Sequence, residues 1–504
     1  SRHANGSRYI LDNDDDYNIY TDANRRDKNN ESRDSRSSVN SNTKKELTKS
    51  IIDSIKALHT ISKNSNLHKE IIDEKGYDSI IDIMYTIPPH EHKLFLLCGE
   101  FFCNLSDNIS VNHRILPMRV VESMIYCANH LEFNQVFLCR VSRSLVNLSA
   151  SKSSTESLVW QKGIATLNDW SKYDDIIIES MHKCLFNVVT SSTYKILPWF
   201  RECASLAVKV FKKQNKLKVG VQIILLSTLS HLASFSSLAN AMIGLLIIGK
   251  LRERVEEIIK NEKYYHLLGE RVQLLEWIVK IFYNMSRAVD ACSKMSDEKI
   301  HVILDEILNF LSIGHYSEEC TNLILGALGN IGRSPHARHR LIPKGTVLIL
   351  KKACLTCVKQ MKKIRQGVNK EKNSNNQYND EDIKETRGNY IATYHSKINV
   401  YKDRLRICVE GLLHFTSDKE FMLQTCQQGS LRVLLTVCDM TDNNGLLYTA
   451  FTTACNILSS KILSDICELV PKDVEDFIQI LFKQIDNKSL RIDDEKDPLG
   501  YIAT

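Results

Sequence analysis

One short pattern recurs along the chain: an apolar helical turn that ends in Asn and is followed by small or polar residues. It stands in CGEFFCNLS at Asn104 and returns at five further Asn residues, while His takes the Asn position in three other copies. The series is His59, Asn104, Asn147, Asn187, His231, Asn284, Asn330, His414 and Asn456. Six of the eight steps are 40 to 46 residues long, and the other two are 53 and 84. Such a period is typical of stacked helical repeats, so the sequence predicts a helical solenoid and not a single globular core.

The composition agrees with long helices and few tight turns. The 504 residues include only 19 Gly and 8 Pro, which disfavours a sheet-rich fold full of turns. An apolar fraction of 43% and a charged fraction of 25% are those of a folded chain. A stack of similar units also removes the size limit on a single core, so one long superhelix is the simpler interpretation.

Changes in composition predict the domain boundaries. Residues 1–46 are rich in Asn, Asp, Ser and Arg and have little to bury, so we expect a disordered N-terminal tail. The chain begins with Ser, and we expect its natural N-terminus to lie elsewhere. Helical periodicity predicts a repeat domain over 47–485, interrupted by an insertion loop at about 366–390 that lacks apolar periodicity. Residues 486–504 are predicted to be a C-terminal tail or the start of a truncated further repeat.

The first unit shows how each repeat is expected to be built. Two apolar helices meet at Gly76, where a sharp turn would use a residue that is free to adopt positive φ. Pro88 and Pro89 then close the unit.

This layout resembles the armadillo repeat, in which a short helix, a second helix and a longer third helix stack on the neighbouring unit. In that family the third helix ends in a motif like A-L-x-N-L-S. The best matching segments run from Asn104 to Leu116, with Asn112 and Arg114, and from Asn330 to Leu350, with Gly345. The resemblance covers roughly 47–485. It implies an all-α, armadillo/HEAT-like, right-handed α-solenoid superhelix of about nine repeats.

The resemblance also implies a protein-binding groove, because the third helices of armadillo proteins line the concave face and their Asn residues often grip an extended peptide. The corresponding residues here are Asn104, Asn147, Asn187, Asn284, Asn330 and Asn456. The alternative is that each amide only caps and braces helices by bonding the adjoining turn of its own repeat. Both interpretations stay open at this stage, and the three His are expected to be structural.

Nothing in the sequence indicates a catalytic site. It contains no phosphate loop, nucleophile elbow, HExxH or dinucleotide fingerprint, and its 16 His are dispersed. We therefore expect a protein that is not an enzyme and has no cofactor or metal. Cys354 and Cys357 form a lone CxxC on one helix face, which favours core packing. Fifteen Cys in apolar helical runs predict a reducing compartment and cytoplasmic localisation, with cytoskeletal association as an extension.

Charge and hydropathy narrow the class of partner. The net charge of +6 is spread over 66 basic and 60 acidic residues, too dilute to predict specific nucleic-acid binding. The sequence contains no run of 18 or more apolar residues, so we expect no transmembrane segment. The basic stretch 351–366 is interpreted as a solvated helix face, with an acidic partner, anionic lipid or RNA as alternatives.

The motifs of two narrower families of helical-repeat proteins match this sequence to different degrees. Importin-like cargo receptors carry Trp-x-x-x-Asn on successive third helices, whereas the four Trp here are followed four places on by Ile164, Asp174, Cys203 and Ile281. That array is absent. The segment from Arg404 to Ser460 resembles part of the UCS-domain myosin chaperones, through Glu410, Gly411, Leu412, Thr416, Asp418, Leu447, Thr452 and Asn456.

The function predicted from these patterns is a non-catalytic scaffold or adaptor whose groove holds an extended or helical segment of another protein. The UCS resemblance implies the alternative of a co-chaperone or assembly factor for a myosin-type motor. A further alternative is a structural component of a cytoskeletal or axonemal assembly. The oligomeric state and the identity of the partner stay open.

Overall fold

The computed structural model describes residues 39–486 with gaps at 89, 108–117, 132–133, 151–165, 167–168, 170–174, 192–197, 214–217, 261–267, 313–316, 375–380, 418–420, 441–443 and 460–462. The described residues form 23 α-helices, numbered α1 to α23 in chain order, and contain no strand. Residues 1–38 and 487–504 lie outside the described part, and with them most of the predicted tails.

Nine helices each end in one copy of the recurrent motif, and we call them the third helices. They are α1 Val39–Ser62, α4 His92–Ser106, α6 Gln135–Ser149, α7 Asp175–Ser191, α9 Val219–Ala233, α12 Leu268–Ser286, α15 Glu318–Ile331, α18 Glu381–Thr416 and α21 Asn444–Leu458. Each packs directly against the next one in this series, so the nine form one continuous row. The all-α solenoid predicted from the sequence is confirmed.

Two further series complete the repeats. The second helices are α3 Gly76–Met84, α5 Met118–His130, α8 Pro198–Lys213, α11 Ile247–Lys260, α14 Ile300–Ser312, α17 Thr346–Ser374, α20 Ser430–Met440 and α23 Pro471–Asp486. Each of them except α23 packs on the third helix of its own repeat. The short first helices are α2 His68–Asp73, α10 Ser236–Gly244, α13 Val289–Asp297, α16 Pro335–Leu341, α19 Met422–Gln427 and α22 Leu463–Leu469, and a 3₁₀ turn, Ser65–Leu67, precedes α2.

A single connected hydrophobic core runs along the stack from Ile55 to Phe477. It contains fully buried aromatic side chains such as Phe101, Phe282 and Phe451. Each repeat exposes apolar surface until its neighbour covers it, so the free energy of folding comes largely from contacts between repeats.

Local polar contacts set several helix starts. Asn134 caps α6 by accepting the N–H of Phe137 at 3.1 Å. Ser317 caps α15 in the same way through the N–H of Cys320, at 3.2 Å. Ser334 caps α16, and Pro335 follows it in the first turn, where its missing N–H costs nothing. These caps satisfy N–H groups that have no partner inside the helix.

The turn into the second helix uses positive φ, but not at the residue expected. Gly76 is the first residue of α3, and Lys75 before it has a φ of 54°. The equivalent residues are Leu246 at 58°, Lys299 at 57°, Gly345 at 81° and Gly429 at 81°. Only two of these five positions are Gly, although a left-handed conformation costs other residues about 1 kcal/mol. The positive φ predicted at Gly76 therefore lies one residue earlier, at Lys75.

The insertion loop expected at 366–390 differs from what the structure shows. Helix α17 continues to Ser374 and α18 begins at Glu381, so only 375–380 are outside the described residues. The same difference occurs at the N-terminus, where α1 begins at Val39 inside the expected tail. Apolar periodicity reports burial and not helicity, so helical segments without an apolar stripe escape it.

The long step from His231 to Asn284 contains both a first helix, α10, and a second helix, α11. The apolar run at 238–248 is divided between α10 and α11, with Leu246 in the turn between them.

Within the described ranges no single helix is long and apolar enough to cross a membrane. Helices α9 and α10 reach that length and apolar content only together, and they are bent by 119°.

Candidate functional site

The third helices from α4 onward present one side to solvent, which we call the third-helix face. It is defined by three positions that share a side of the helix: the motif Asn or His, the residue four places before it and the residue three places after it. The matching positions of α1, Ile55, His59 and Ser62, are buried. The residue three places after is exposed in Asp107, Ala150, Thr190, Ser234, Arg287, Arg333, Ser417 and Ser459. The residue four places before is partly or fully exposed in Glu100, Arg143, Lys183, Lys280, Glu410 and Thr452.

The six Asn predicted to bind a partner all lie on this face, and five of them donate a hydrogen bond toward the preceding repeat. Asn104 Nδ2 donates to Ser62 Oγ at 2.8 Å, and Asn187 Nδ2 donates to Ser149 Oγ at 2.9 Å. Asn330 Nδ2 donates to Ser286 Oγ at 3.2 Å. Asn284 bonds the Ser230 carbonyl oxygen at 2.8 Å, and Asn147 lies 3.4 Å from the Asp107 carboxylate. Asn456 is half-buried at the matching position of α21.

The accepting Ser residues are oriented by their own helices. Ser62 Oγ donates to the His59 carbonyl at 2.7 Å, Ser149 Oγ to Val146 at 2.7 Å and Ser286 Oγ to Tyr283 at 2.6 Å. A hydroxyl has one hydrogen, so this bond uses its donor and leaves lone pairs for the Asn of the next repeat. The Ser that follows two places after Asn147 and Asn284 is thus half of an inter-repeat contact. The amides of these five Asn therefore brace neighbouring repeats.

Asn104 belongs to a larger network across three repeats. Arg140 on α6 donates to Asn104 Oδ1 and lies 3.5 Å from the Glu100 carboxylate. Glu100 in turn lies 2.9 Å from His59 Nε2 on α1. Burial is the largest cause that lowers the pKa of His59, Lys63 adds to it, and Glu100 opposes it. Sequence reasoning missed Glu100 and Arg140, because their contacts form only when three repeats are stacked.

The pKa values of the other two His in the Asn position are also lowered. Burial lowers the pKa of His231, which faces the Phe186 ring at a centroid distance of 5.9 Å. Burial also lowers the pKa of His414, and the charges of Arg333 and Arg338 lower it further.

Burial raises the pKa of many Cys thiols in the described part of the chain and so disfavours the reactive thiolate. All 15 Cys are free thiols, and most are buried. Burial raises the pKa of Cys98, Cys103 and Cys184 to about 12. Cys354 and Cys357 are both buried, as core packing requires. In the described part of the chain, no group of three or more His, Cys, Asp or Glu is arranged to hold a metal ion.

Comparison with known proteins supports the fold. No protein-family model and no curated protein sequence matches the chain. Among solved structures, an engineered protein aligns with a TM-score of 0.51 at 14% identity, over 90% of this chain and 92% of that one. Beta-catenin, from work on the phosphorylation switch in its interaction with cadherin, aligns with a TM-score of 0.52 at 11% identity, over 89% and 80%.

The UNC-45 chaperone, described for binding and folding muscle myosin, is also similar, with a TM-score of 0.29 at 12% identity over 86% of this chain and 47% of that one. That value is too low to carry an argument. Identities of 11% and 14% show the fold alone, an armadillo-type solenoid.

Proposed function

We propose that the third-helix face binds a segment of another protein, and that the chain is a non-catalytic scaffold or adaptor of the cytoplasm. The observation that carries this proposal is the row of Asn bonds between repeats. These bonds fix neighbouring third helices, so the exposed residues four before and three after each Asn are presented at a regular spacing. A surface that is already ordered loses less entropy when a partner binds.

The charges of this face indicate the chemistry of the segment. Arg143, Arg287 and Arg333 are exposed in the middle repeats, whereas Glu100 and Glu410 lie toward the two ends. A partner segment with acidic side chains along its middle would complement this arrangement, and complementary charge mainly sets specificity and the rate of association. Partly exposed Trp277 and Tyr283 on α12 add aromatic surface of the kind enriched in protein interfaces.

Beta-catenin, which has the same class of fold, interacts with cadherin, and its example supports a protein as the class of ligand. The UCS-like alternative rests on residues that packing already explains. Gly411 lies against Gly329, where an added Cβ would come within 3.1 Å of the Gly329 Cα. Leu412 and Leu447 are buried. We therefore propose the scaffold first and keep the assembly factor for a motor protein, and a cytoskeletal component, as alternatives.

The test combines partner capture with a matched pair of variants. The full chain is immobilised, proteins captured from native extract are identified, and their affinity for purified variants is measured. The site variant is R143E/R287E/R333E. The control, K69E/K294E/K472E, makes the same change in charge at exposed residues away from the third-helix face. We expect the site variant to bind about tenfold more weakly or worse, and the control to bind as the native chain does.

Equal affinity of both variants for every captured protein would overturn the proposal. The assembly-factor alternative requires a different result: the native chain should suppress aggregation of an unfolding myosin motor domain and release it when folded. A scaffold is expected to leave that aggregation unchanged.

A further inference from the structure

The second helices carry a cleft that the third-helix face does not explain. A cavity of about 510 Å³ lies between α14 and α17. Its apolar lining comes from both helices and from the third helices beside them, through Leu308, Leu311, Leu325, Leu348, Ile349 and Tyr401. Several other second helices pack on their successors, as α11 does on α14 and α17 on α20. Here α14 and α17 stand apart, and apolar surface stays open between them.

The outer side of α17 continues this cleft. Leu348 is 46% exposed and Leu355 is 40% exposed, and they stand seven residues apart. Lys352 lies between these two Leu and Lys359 lies after Leu355, so the two Lys are also seven residues apart. Both Lys are exposed. The four residues follow each other at intervals of four, three and four, so they form one stripe along the helix. They also line a second depression of about 370 Å³ that adjoins the first.

The charged residues of the surface are mostly basic. Helix α17 has no acidic residue between Thr346 and Lys370, whereas it carries Lys351, Lys352, Lys359, Lys362, Lys363 and Arg365 over that range. The residues that line the 510 Å³ cavity include one acid, Asp305 on α14. Arg404 at the cavity wall bonds Asn322 Oδ1 at 2.7 Å. Its neighbours therefore hold that side chain in place.

We propose that the α14–α17 cleft, together with the Leu348, Lys352, Leu355 and Lys359 stripe, docks an acidic amphipathic helix of a partner protein. Apolar side chains one heptad apart on that helix fill the cavity and cover Leu348 and Leu355. Its carboxylates lie beside Lys352 and Lys359. Leu and Lys that alternate along one helix face match a partner helix with apolar and acidic residues at the same spacing.

The shape of the surface favours a protein helix over the other anionic ligands. A lipid bilayer presents a broad surface, whereas most of the apolar area here lines a cleft. Single-stranded RNA is held by aromatic side chains that stack on bases. The side chains exposed between these lysines are Leu and Thr, and the aromatic residue of the lining is Tyr401 on the cavity wall. This docking surface is separate from the third-helix face, and neither proposal depends on the other.

The test uses the full chain and two synthetic peptides labelled for fluorescence anisotropy. Both are helical over four to five turns with Leu at heptad spacing. One carries Glu between the Leu residues, and the other carries Lys. We expect the Glu peptide to bind the native chain and the Lys peptide to bind about tenfold more weakly or not at all. Binding of the Glu peptide should weaken about tenfold in L348S/L355S, and should be unchanged in L463S/L469S, which alters two Leu of 39% exposure on α22.

A charge exchange sharpens the result. The variant K352E/K359E should lose the Glu peptide and gain the Lys peptide, which a variant that merely unfolds cannot do. All variants should have the same melting temperature as the native chain. The proposal is overturned if the Glu peptide does not bind or binds L348S/L355S equally well. It is also overturned if only phosphatidylserine vesicles or poly(U) RNA bind and lose their affinity in these variants.

Discussion

The row of third helices and the row of second helices are built from the same repeats, but they differ in how closely their members pack. Every third helix in the described part of the chain contacts its successor, and Asn bonds cross four of these junctions to Ser of the preceding third helix. In the second-helix row, α14 and α17 are separated by a cavity of about 510 Å³. The recurrent motif therefore lies where repeats must meet closely, and the irregular surface lies where they need not.

One close backbone approach in the third-helix row shows how tightly its helices pack. Helices α15 and α18 cross at Gly329 and Gly411, and a Cβ on Gly329 would lie 2.9 Å from the Gly411 Cα atom. Carbon atoms in contact normally stand about 3.5 to 4.0 Å apart. No side chain fits between these two backbones. The repeat that makes this close contact through its third helix, α15, borders the open cleft with its second helix, α14.

A matched pair of Leu→Ala substitutions tests this contrast, with the largest expected effect. Leu328 on α15 is fully buried in the third-helix row, and Leu348 on α17 is 46% exposed at the cleft. We expect Leu328→Ala to lower the free energy of unfolding by about 2 to 5 kcal/mol, because it leaves a cavity in a packed core. Leu348→Ala should lower it by less than about 1 kcal/mol.

Urea unfolding followed by circular dichroism measures both values. The two variants remove the same atoms from the same residue type, so each is the control of the other. Similar losses in both would mean that the second-helix row is as closely packed as the third-helix row, and the contrast would be wrong.

The second prediction concerns acid. His301 in the first turn of α14 is 5% exposed, and neither ring nitrogen has a hydrogen-bond partner among the described residues. Burial, followed by the charges of Lys344 and Lys299, lowers its pKa to about 4. Between pH 6.5 and about 4 the unfolded chain binds a proton at His301 and the folded chain does not. Stability is therefore unaffected by this group above about pH 6.5 and falls as the pH drops below it.

We expect His301 to lower the free energy of unfolding by about 1 to 2 kcal/mol between pH 7 and pH 5. His59 in the third-helix row should contribute less, because Glu100 opposes the effect of burial on its pKa. Urea midpoints at both pH values, compared between the native chain, His301→Gln and His59→Gln, separate the two. If His301→Gln retains the full loss on acidification, the assignment to His301 is wrong.

The same contrast explains what the sequence predicts well. All nine motif copies end a third helix, because each copy marks a contact that every repeat makes and so recurs with the period of the stack. The positions of the six Asn on one face follow from the same regularity. Their bonding partners do not, because a period says which residues are equivalent and not which atoms of the preceding repeat they reach.

Features that occur once were not predictable in this way. The network of His59, Glu100, Arg140 and Asn104 needs three stacked repeats. The ends of α17 and α18 carry helix without an apolar stripe, and the cleft beside Leu348 lies where α14 and α17 leave apolar surface open between them. Apolar patterning reports buried faces, so it cannot show helices that lie away from the core or surfaces that stay open.

The smallest expected effect concerns the strength of the bracing itself, in two Asn→Ala variants. The Asn284 amide donates to the Ser230 carbonyl at 2.8 Å and lies 3.2 Å from its hydroxyl, in a partly buried setting. The Asn147 amide lies 3.4 Å from the exposed Asp107 carboxylate. We expect Asn284→Ala to cost about 1 kcal/mol, because a good hydrogen bond and its packing are lost. Asn147→Ala should cost only a few tenths, because water replaces a long exposed contact about equally well. Urea midpoints measured on both variants decide the matter, and a larger loss in Asn147→Ala would show that the Asn residues stabilise the stack by something other than these bonds.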